Sequence, residues 1–297
     1  MILSESPLLR WVDHWQTQGV SLVPALFRLH QVDCVPSTNS YLWERLNRGS
    51  DDSTYDSGQQ DSIVAIARRQ SRGRGQWGRQ WTSPSGGLYL SASLPALSVN
   101  QAGPLMLSCA WGVAVALRQF GVPVQLKWPN DLVIGSRKLG GMLIETRLSG
   151  AKITQAVLGI GINWRNEVPP GGISIAELNS PDINPQIQAS SYTVTAAVLT
   201  GIAVGYGRLQ SQGVESILPD YETLMTHRGQ TIAINNQGRQ KTGRVVGVAP
   251  TGQLRLSLDR AAPSTSLAPV HSKPVGLPSE IVADPGSIHL CYDAIEH

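Results

Sequence analysis

Between two strand-like runs, the sequence contains the stretch Gln70-Ser-Arg-Gly-Arg-Gly-Gln-Trp-Gly-Arg-Gln-Trp-Thr-Ser-Pro-Ser-Gly-Gly87. Its glycines let backbone N–H groups approach a ligand closely, and its arginines supply forked donors for phosphate or carboxylate groups. The spacing matches neither a Walker loop nor a G-x-G-x-x-G turn. The stretch is short, carries two tryptophans and has a predicted strand on each side. We therefore interpret it as a structured anion-binding loop, and a disordered RNA-binding tail is the alternative.

The charge pattern around this loop is one-sided. No Asp or Glu occurs from Ser62 through Asn130, while that segment carries Arg68, Arg69, Arg72, Arg74, Arg79, Arg118 and Lys127. Such a segment suits a surface that receives polyphosphate or another anion. The alternative is chance clustering around a buried sheet. The net charge of +3 is too small to indicate nucleic-acid binding by itself.

Length and composition indicate an ordinary globular protein. The chain has 297 residues, of which 41% are hydrophobic and 15% charged, enough for one large domain and a small one. The dispersed Cys34, Cys109 and Cys291 argue against a disulfide framework or a zinc site and fit a reducing compartment. With neither a signal-peptide pattern nor a long apolar run, the sequence predicts a cytoplasmic protein that does not enter membranes.

Hydrophobic periodicity predicts an α+β protein with mixed strands and helices to about residue 226. Strands are predicted at 27–35, 62–67, 88–94, 122–127, 132–134, 142–148 and 156–163, and helices at 7–18, 41–46, 104–120, 193–212 and 214–226. Polar or glycine-rich loops are predicted at 48–61 and 68–87. The domain 1–226 is followed by a small β-barrel over 227–297, with a Pro/Ser-rich insertion at about 261–279. Its strands are predicted at 231–235, 243–248, 253–258, 280–283 and 287–292.

Two further segments carry polar or glycine-rich chemistry. The first is Lys127-Trp-Pro-Asn-Asp131 followed by Lys138-Leu-Gly-Gly141, and the second is Gly159-Ile-Gly-Ile-Asn163. Asn130 and Asp131 after a proline also suit an ordinary turn. Each segment alone is a weak signal, but their combination is specific.

Taken in order, these motifs resemble the biotin–protein ligase family. The resemblance rests on Ser37-Thr-Asn39, Gly73-Arg-Gly-Gln-Trp-Gly-Arg-Gln-Trp81, Ser83-Pro-Ser-Gly-Gly-Leu-Tyr89, Lys127-Trp-Pro-Asn-Asp131, Lys138-Leu-Gly-Gly141 and Gly159-Ile-Gly-Ile-Asn163. It implies a mixed-sheet catalytic domain of the biotin/lipoate ligase type followed by an SH3-like barrel. It also implies an ATP-dependent, AMP-forming enzyme that makes biotinyl-5'-AMP and transfers biotin to a lysine of the biotin carboxyl carrier protein of acetyl-CoA carboxylase.

The resemblance also implies roles for individual residues. Catalysis falls on Lys138, Arg74 and Asp131. Biotin-binding positions are Ser37, Thr38, Asn39, Gln70, Gly73, Arg74 and Gly141. ATP- or adenylate-binding positions are Gln76, Arg79, Trp81, Lys127, Asn130, Met142 and Asn163. ATP is expected with Mg²⁺ as its counter-ion, and no resident metal site is expected.

The sequence departs from the family pattern at Gln76, where the usual run G-R-G-R-x-G-R has arginine. The missing charge puts tight retention of the adenylate in question, although Arg72 or Arg79 can compensate. Only 36 residues precede Ser37, too few for a three-helix DNA-binding module plus the first strand, so we expect a single-function ligase that does not bind operator DNA. The alternatives are a lipoate–protein ligase and a non-catalytic biotin or nucleotide sensor.

Overall fold

A computed structural model describes residues 14, 16–17, 27–47, 62–95, 102–150, 152–236, 239–258 and 280–288. Most of the predicted helix at 7–18 lies outside the described residues, as do the predicted loop at 48–61 and the predicted insertion at 261–279. Within the described ranges, no helix is both long and apolar enough to cross a membrane.

The larger part of the molecule is built on a mixed seven-stranded sheet with the order β1-β2-β3-β7-β6-β5-β4. Its strands are β1 (Phe27–Val35), β2 (Ser62–Gln70), β3 (Leu88–Leu94), β4 (Gln125–Lys127), β5 (Asp131–Ile134), β6 (Arg137–Ser149) and β7 (Lys152–Ile162). Strands β1 and β2 pair in parallel, and every other neighbouring pair is antiparallel. The predicted mixed α+β architecture is confirmed.

Five α-helices accompany this sheet in the described part of the chain: α1 (Thr38–Asn47), α2 (Ala102–Arg118), α3 (Pro185–Ala189), α4 (Ser191–Gln212) and α5 (Leu218–Leu224). Helix α2 is buried along most of its length and packs against α4. The two helices approach closely where Gly112 of α2 faces Gly201 of α4. A Cβ atom at Gly112 would lie 2.1 Å from the Gly201 carbonyl oxygen, and neither position has room for a side chain. This helix pair forms the centre of the core beneath the sheet.

Several element boundaries differ from the sequence prediction. The predicted strand at 122–127 is confined to Gln125–Lys127, since Gly121 has φ +78° and Pro123 lacks a backbone donor. Strand β6 begins at Arg137 rather than Met142, because Gly140 and Gly141 form β-sheet hydrogen bonds with β5 instead of lying in a loop. The predicted helix at 214–226 is a 3-10 turn, Val214–Ser216, followed by α5.

The C-terminal part forms a second, four-stranded antiparallel sheet in the order β11-β10-β9-β8. Its strands are β8 (Thr231–Asn236), β9 (Arg239–Val248), β10 (Leu254–Leu258) and β11 (Glu280–Ala283). The predicted strand at 287–292 falls mostly outside the described residues, so closure into a barrel stays a prediction, as does the domain boundary at 226/227.

The C-terminal sheet packs directly on the part of the chain that carries the seven-stranded sheet. Trp128 Nε1 donates to the Gly252 carbonyl oxygen at 2.9 Å, and Val248 N donates to Glu222 Oε1 at 3.0 Å. Gly103, at the start of α2, has no room for a side chain, because a Cβ atom there would lie 2.1 Å from the Thr251 carbonyl oxygen. The two parts therefore share a tight contact beside the segment that contains Trp128.

Candidate active site

An open cleft with an empty volume of about 1090 Å³ crosses the seven-stranded sheet. Helix α1, the 73–81 loop, the β4–β5 turn and strands β6 and β7 form its walls, and Gly286 and Ile288 of the C-terminal part add to them. Most of the predicted site residues line it: Ser37, Thr38, Asn39, Gln70, Arg74, Gln76, Arg79, Trp81, Lys127, Asn130, Asp131, Lys138, Gly141 and Met142. The predicted site residues Gly73 and Asn163 lie outside its lining.

One end of the cleft is a buried polar network around the start of α1. Gln70 Oε1 accepts from Thr38 N at 2.8 Å and from Thr38 Oγ1 at 3.2 Å, while Gln70 Nε2 donates to Ser83 Oγ at 2.8 Å. The Ser91 hydroxyl lies 2.7 Å from Thr38 Oγ1 and 2.5 Å from Asn39 Oδ1. Because neighbouring side chains hold each group, this end of the cleft presents polar atoms in fixed positions.

The glycines of β7 make room for two cleft residues. A Cβ atom at Gly159 would lie 2.3 Å from Asn39 Oδ1, and one at Gly161 would lie 2.4 Å from Trp81 Nε1. Asn39 and Trp81 can therefore lie directly on the strand only because these positions lack side chains. Two buried donors, Asn39 Nδ2 and Trp81 Nε1, have no hydrogen-bond partner among the described residues. A buried donor without a partner costs about 1–3 kcal/mol unless a ligand satisfies it.

The glycine- and arginine-rich loop is a short hairpin. Trp81 N donates to the Gly73 carbonyl oxygen at 3.0 Å, and Gly75 N donates to the Arg79 carbonyl oxygen at 2.7 Å. A 3-10 turn, Gln76–Gly78, closes it, with Trp77 at φ +59°. Gly73 belongs to this scaffold, because a Cβ atom there would lie 2.3 Å from the Trp81 carbonyl oxygen. The predicted anion loop is therefore ordered by its own backbone hydrogen bonds.

An ion pair in the cleft joins Lys138 and Asp131, whose Nζ and Oδ1 atoms are 2.6 Å apart. Lys138 Nζ also lies 5.3 Å from the centre of the Trp81 ring. The Lys138 backbone is fixed as well, since its N–H donates to Gly171 O at 2.8 Å and its carbonyl oxygen accepts from Ile173 N at 3.0 Å. The lysine is thus held at both its backbone and its ammonium group.

The arginines occupy different places. Arg74 lines the cleft and pairs with Glu145, its Nη2 atom lying 2.9 Å from Oε1 and 3.1 Å from Oε2. Arg79 is exposed on the cleft lining, whereas Arg72 is exposed but not part of that lining. Of the two arginines expected to compensate for Gln76, Arg79 lines the cleft and Arg72 does not.

The two predicted adenylate-binding asparagines are engaged within the protein. Asn130 Nδ2 donates to the Met142 carbonyl oxygen at 2.7 Å and holds the turn after Pro129. Asn163 is buried, and its Nδ2 donates to the Lys138 carbonyl oxygen at 3.2 Å. Asn163 lines a second cavity, which also borders Trp81 and Lys138. Both asparagines thus support the positions of neighbouring site residues.

Sequence reasoning missed several residues of the site. Ser83 was part of a recognised motif but had no assigned role, and Ser91 gave no signal because a serine in a strand resembles any small polar residue. Gly286 and Ile288 come from the C-terminal part, and sequence order alone did not place them beside the loop. A Cβ atom at Gly286 would lie 2.7 Å from Trp77 Cζ2, so the tip of the hairpin contacts the C-terminal part.

Residues 32–163 match the model of the Biotin/lipoate A/B protein ligase family, and this range contains most of the cleft. The chain carries a biotin/lipoate ligase domain. It is 29% identical over 235 residues to the bifunctional ligase/repressor BirA of Escherichia coli, covering 76% of this chain and 68% of that protein. It is 26% identical over 206 residues to the biotin–[acetyl-CoA-carboxylase] ligase of Paracoccus denitrificans, covering 66% of this chain and 84% of that protein.

A solved structure supports the same relationship for this ligase domain. The biotin protein ligase from Aquifex aeolicus in complex with biotin and ATP superimposes with a TM-score of 0.59 at 26% identity, covering 78% of this chain and 92% of that chain. The two proteins therefore share the fold over most of both chains. The match confirms the resemblance on which the sequence interpretation rests.

Proposed function

We propose that this chain is an ATP-dependent biotin–protein ligase. It forms biotinyl-5'-AMP from biotin and ATP and then transfers biotin to a lysine of the biotin carboxyl carrier protein of acetyl-CoA carboxylase. The observation that carries this proposal is the composition of one cleft: a fixed polar end, a Lys138–Asp131 pair and an arginine-bearing hairpin face the same space. The relatives in E. coli and P. denitrificans carry ligase names, which supports the assignment.

The polar end suits the ureido ring of biotin. That ring is neutral and offers N–H donors and a carbonyl acceptor, so its recognition needs matched donors and acceptors at fixed positions. The network through Thr38, Gln70 and Asn39 provides both kinds of group. Asn39 Nδ2 is the donor that a bound ligand can satisfy. Gly141, in the same cleft, leaves room for the valeryl chain.

The charged part of the cleft suits adenylate formation. An oxygen of the biotin carboxylate attacks the α-phosphorus of ATP, and the bond from that phosphorus to the bridging oxygen of pyrophosphate breaks. Pyrophosphate leaves with Mg²⁺, which enters as part of the nucleotide substrate. Because this step brings two anions together, it requires positive charge held in place beforehand, and Lys138 and Arg74 supply it. The cavity beside Asn163 and Trp81, across Lys138, is the proposed place of the adenine.

The second step transfers the acyl group. The neutral amine of the carrier lysine attacks the acyl carbon of biotinyl-5'-AMP, AMP leaves with the electrons of the broken bond, and the amine loses a proton. Asp131 lies in the cleft and either accepts that proton or orients the groups around it. Its 2.6 Å contact with Lys138 supports the orienting role.

A pyrophosphate-release assay with biotin and ATP tests the proposal and discriminates the alternatives. Release with biotin but not with lipoate is expected of a biotin ligase, whereas a non-catalytic sensor releases none with either acid. Lys138→Ala is expected to lower the rate by two orders of magnitude or more, since loss of one charge from a preorganised site costs on the order of 3–4 kcal/mol. Lys152→Ala, which removes an exposed lysine at the start of β7, is the matched control and keeps the wild-type rate.

If the Lys138→Ala variant stays folded by circular dichroism and releases pyrophosphate at the wild-type rate, Lys138 is removed from the catalytic assignment.

We further propose a cytosolic location and no affinity for operator DNA. Fractionation of the native cells and a mobility-shift titration with DNA upstream of biotin-synthesis genes test these two points separately.

A further inference from the structure

A three-residue network next to the cleft joins α1, β6 and the hairpin. Trp43 Nε1 donates to Glu145 Oε2 at 2.9 Å, and Arg74 Nη2 lies 2.9 Å from Glu145 Oε1 and 3.1 Å from Oε2. Arg74 and Glu145 are 45% and 24% exposed, so the carboxylate is the more enclosed partner. Neither Trp43 nor Glu145 lines the cleft, but Arg74 does.

The tryptophan at the base of this network is itself held in place. The Arg147 guanidinium lies 4.3 Å from the centre of the Trp43 ring, and Arg147 Nη1 also donates to Asn47 Oδ1 and, at 3.3 Å, to Gln155 Oε1. Trp43 therefore presents its N–H to Glu145 from a ring that is stacked on one face. A carboxylate oriented in this way has a defined direction for a charge-assisted hydrogen bond.

The contact occupies only one of the three nitrogens of Arg74. Among the described residues, Arg74 makes its hydrogen bonds and ion pair through Nη2 alone, all to Glu145. The Nη1 and Nε donors thus remain for an anion in the cleft. An exposed arginine samples many rotamers, and a ligand that must order it first loses part of its binding free energy.

We propose that Glu145, oriented by Trp43, is a positioning residue that holds Arg74 at the cleft before the anionic substrates arrive. The inference rests on the proposed function, in which Arg74 contacts the reacting carboxylate and phosphate. Glu145 itself contacts no substrate. Its effect is transmitted entirely through the Arg74 guanidinium, so it disappears when that guanidinium is removed.

A double-mutant cycle on the full chain tests this dependence. The kcat/KM of biotin-dependent pyrophosphate release is measured for wild type, Glu145→Ala, Arg74→Ala and the double variant. Glu145→Ala is expected to lower kcat/KM about tenfold when Arg74 is present and less than about twofold when Arg74 is absent, as coupled contacts do. An equal loss in both backgrounds indicates a general structural role and overturns the proposal. A gain in activity indicates that Glu145 restrains Arg74 in an inactive position, and also overturns it.

Trp43→Phe supplies a finer test, because phenylalanine keeps a ring for Arg147 and removes only the N–H donor. It is expected to lower kcat/KM about threefold in the wild-type background and to have no further effect when Glu145 is alanine. Thermal unfolding of each variant identifies any that has lost its fold.

Side-chain relaxation of the Arg74 ¹⁵Nε–H group measures positioning without catalysis. The order parameter is expected to be high in wild type and to fall in Glu145→Gln, which keeps the shape of the side chain and loses its charge. The same signal disappears in Arg74→Ala, which assigns it. If wild type releases no pyrophosphate, the proposed function fails while this measurement still decides whether Glu145 positions Arg74. An unchanged order parameter in Glu145→Gln overturns the positioning role.

Discussion

Replacing Gly159 by alanine tests whether the glycines of β7 exist to admit cleft side chains. The added methyl group would lie 2.3 Å from Asn39 Oδ1, well inside the 3.4–4 Å of an ordinary contact. Asn39 has little space to retreat, because it is 3% exposed and Ser91, which is fully buried, contacts its Oδ1 atom. Relief of the clash therefore requires movement of Asn39 or of the strand, at about 1–3 kcal/mol of folding free energy.

Two measurements on Gly159→Ala separate stability from binding. The melting temperature is expected to fall by several degrees, at about 2–4 °C per kcal/mol for a protein of this size. Biotin affinity, measured by calorimetry, is expected to fall about fivefold or more, because displaced Asn39 loses at least one neutral hydrogen bond of about 1 kcal/mol. Gly141→Ala is the stability control, since its methyl group would lie 3.4 Å from Asp131 Oδ1. Wild-type stability and wild-type biotin affinity together in Gly159→Ala would refute the reasoning.

Three further outcomes follow from the structure. Gln76→Arg is expected to slow release of biotinyl-5'-AMP about tenfold by adding a charge-assisted hydrogen bond, and an unchanged off-rate indicates that Arg79 already supplies that charge. Amide exchange over residues 70–80 is expected to slow on saturation with biotin and ATP at the amides without a backbone partner. The N–H groups that are already bonded, those of Gln70, Ser71, Arg72, Gly75 and Arg79, are expected to change little. Equal rates with and without ligand at every amide make the loop a static element. Burial and the positive charges of Arg45 and Arg28 lower the pKa of His30 below its ordinary 6.5. As the pH falls, the unfolded chain therefore binds a proton at this histidine before the folded chain does. The free energy of unfolding consequently decreases as the pH falls below 6.5. His30→Asn is expected to flatten that decrease in urea titrations, and an unaltered pH dependence removes His30 as its source.

The sequence predicted the site and the fold best where one residue type has one structural role. Gly159 and Gly161 were recognised as part of a glycine-bearing motif, and the structure shows which side chains use the space that they leave, Asn39 and Trp81. The order of motifs predicted which segments meet in the cleft. Hydrophobic periodicity also placed the strands of the main sheet, because alternation and buried runs reflect the two faces of a sheet directly.

Pairwise geometry could not be predicted in the same way. Nothing in the local sequence of Arg74 indicates that its partner is Glu145, which lies 71 positions further along the chain. Lys138 lay between the predicted strands at 132–134 and 142–148. In the structure, β5 and the segment around Gly171 supply the hydrogen bonds that keep it in a strand. These contacts depend on sheet order, which no local pattern encodes.

The contact between the two parts of the molecule restricts how this chain can evolve and be recombined. A Cβ atom at Gly252 would lie 2.7 Å from the Gly103 Cα atom, and one at Gly286 would lie 2.7 Å from Trp77 Cζ2. Gly252 and Gly286 are therefore each matched to one position of the part that carries the cleft, and a side chain at either glycine requires that neighbour to move. A chimera that receives the C-terminal sheet of another ligase keeps this contact when glycine stands at position 252. At position 286 it needs glycine or a smaller residue in place of Trp77. The C-terminal part is thus inherited together with the cleft it borders, rather than as an exchangeable module.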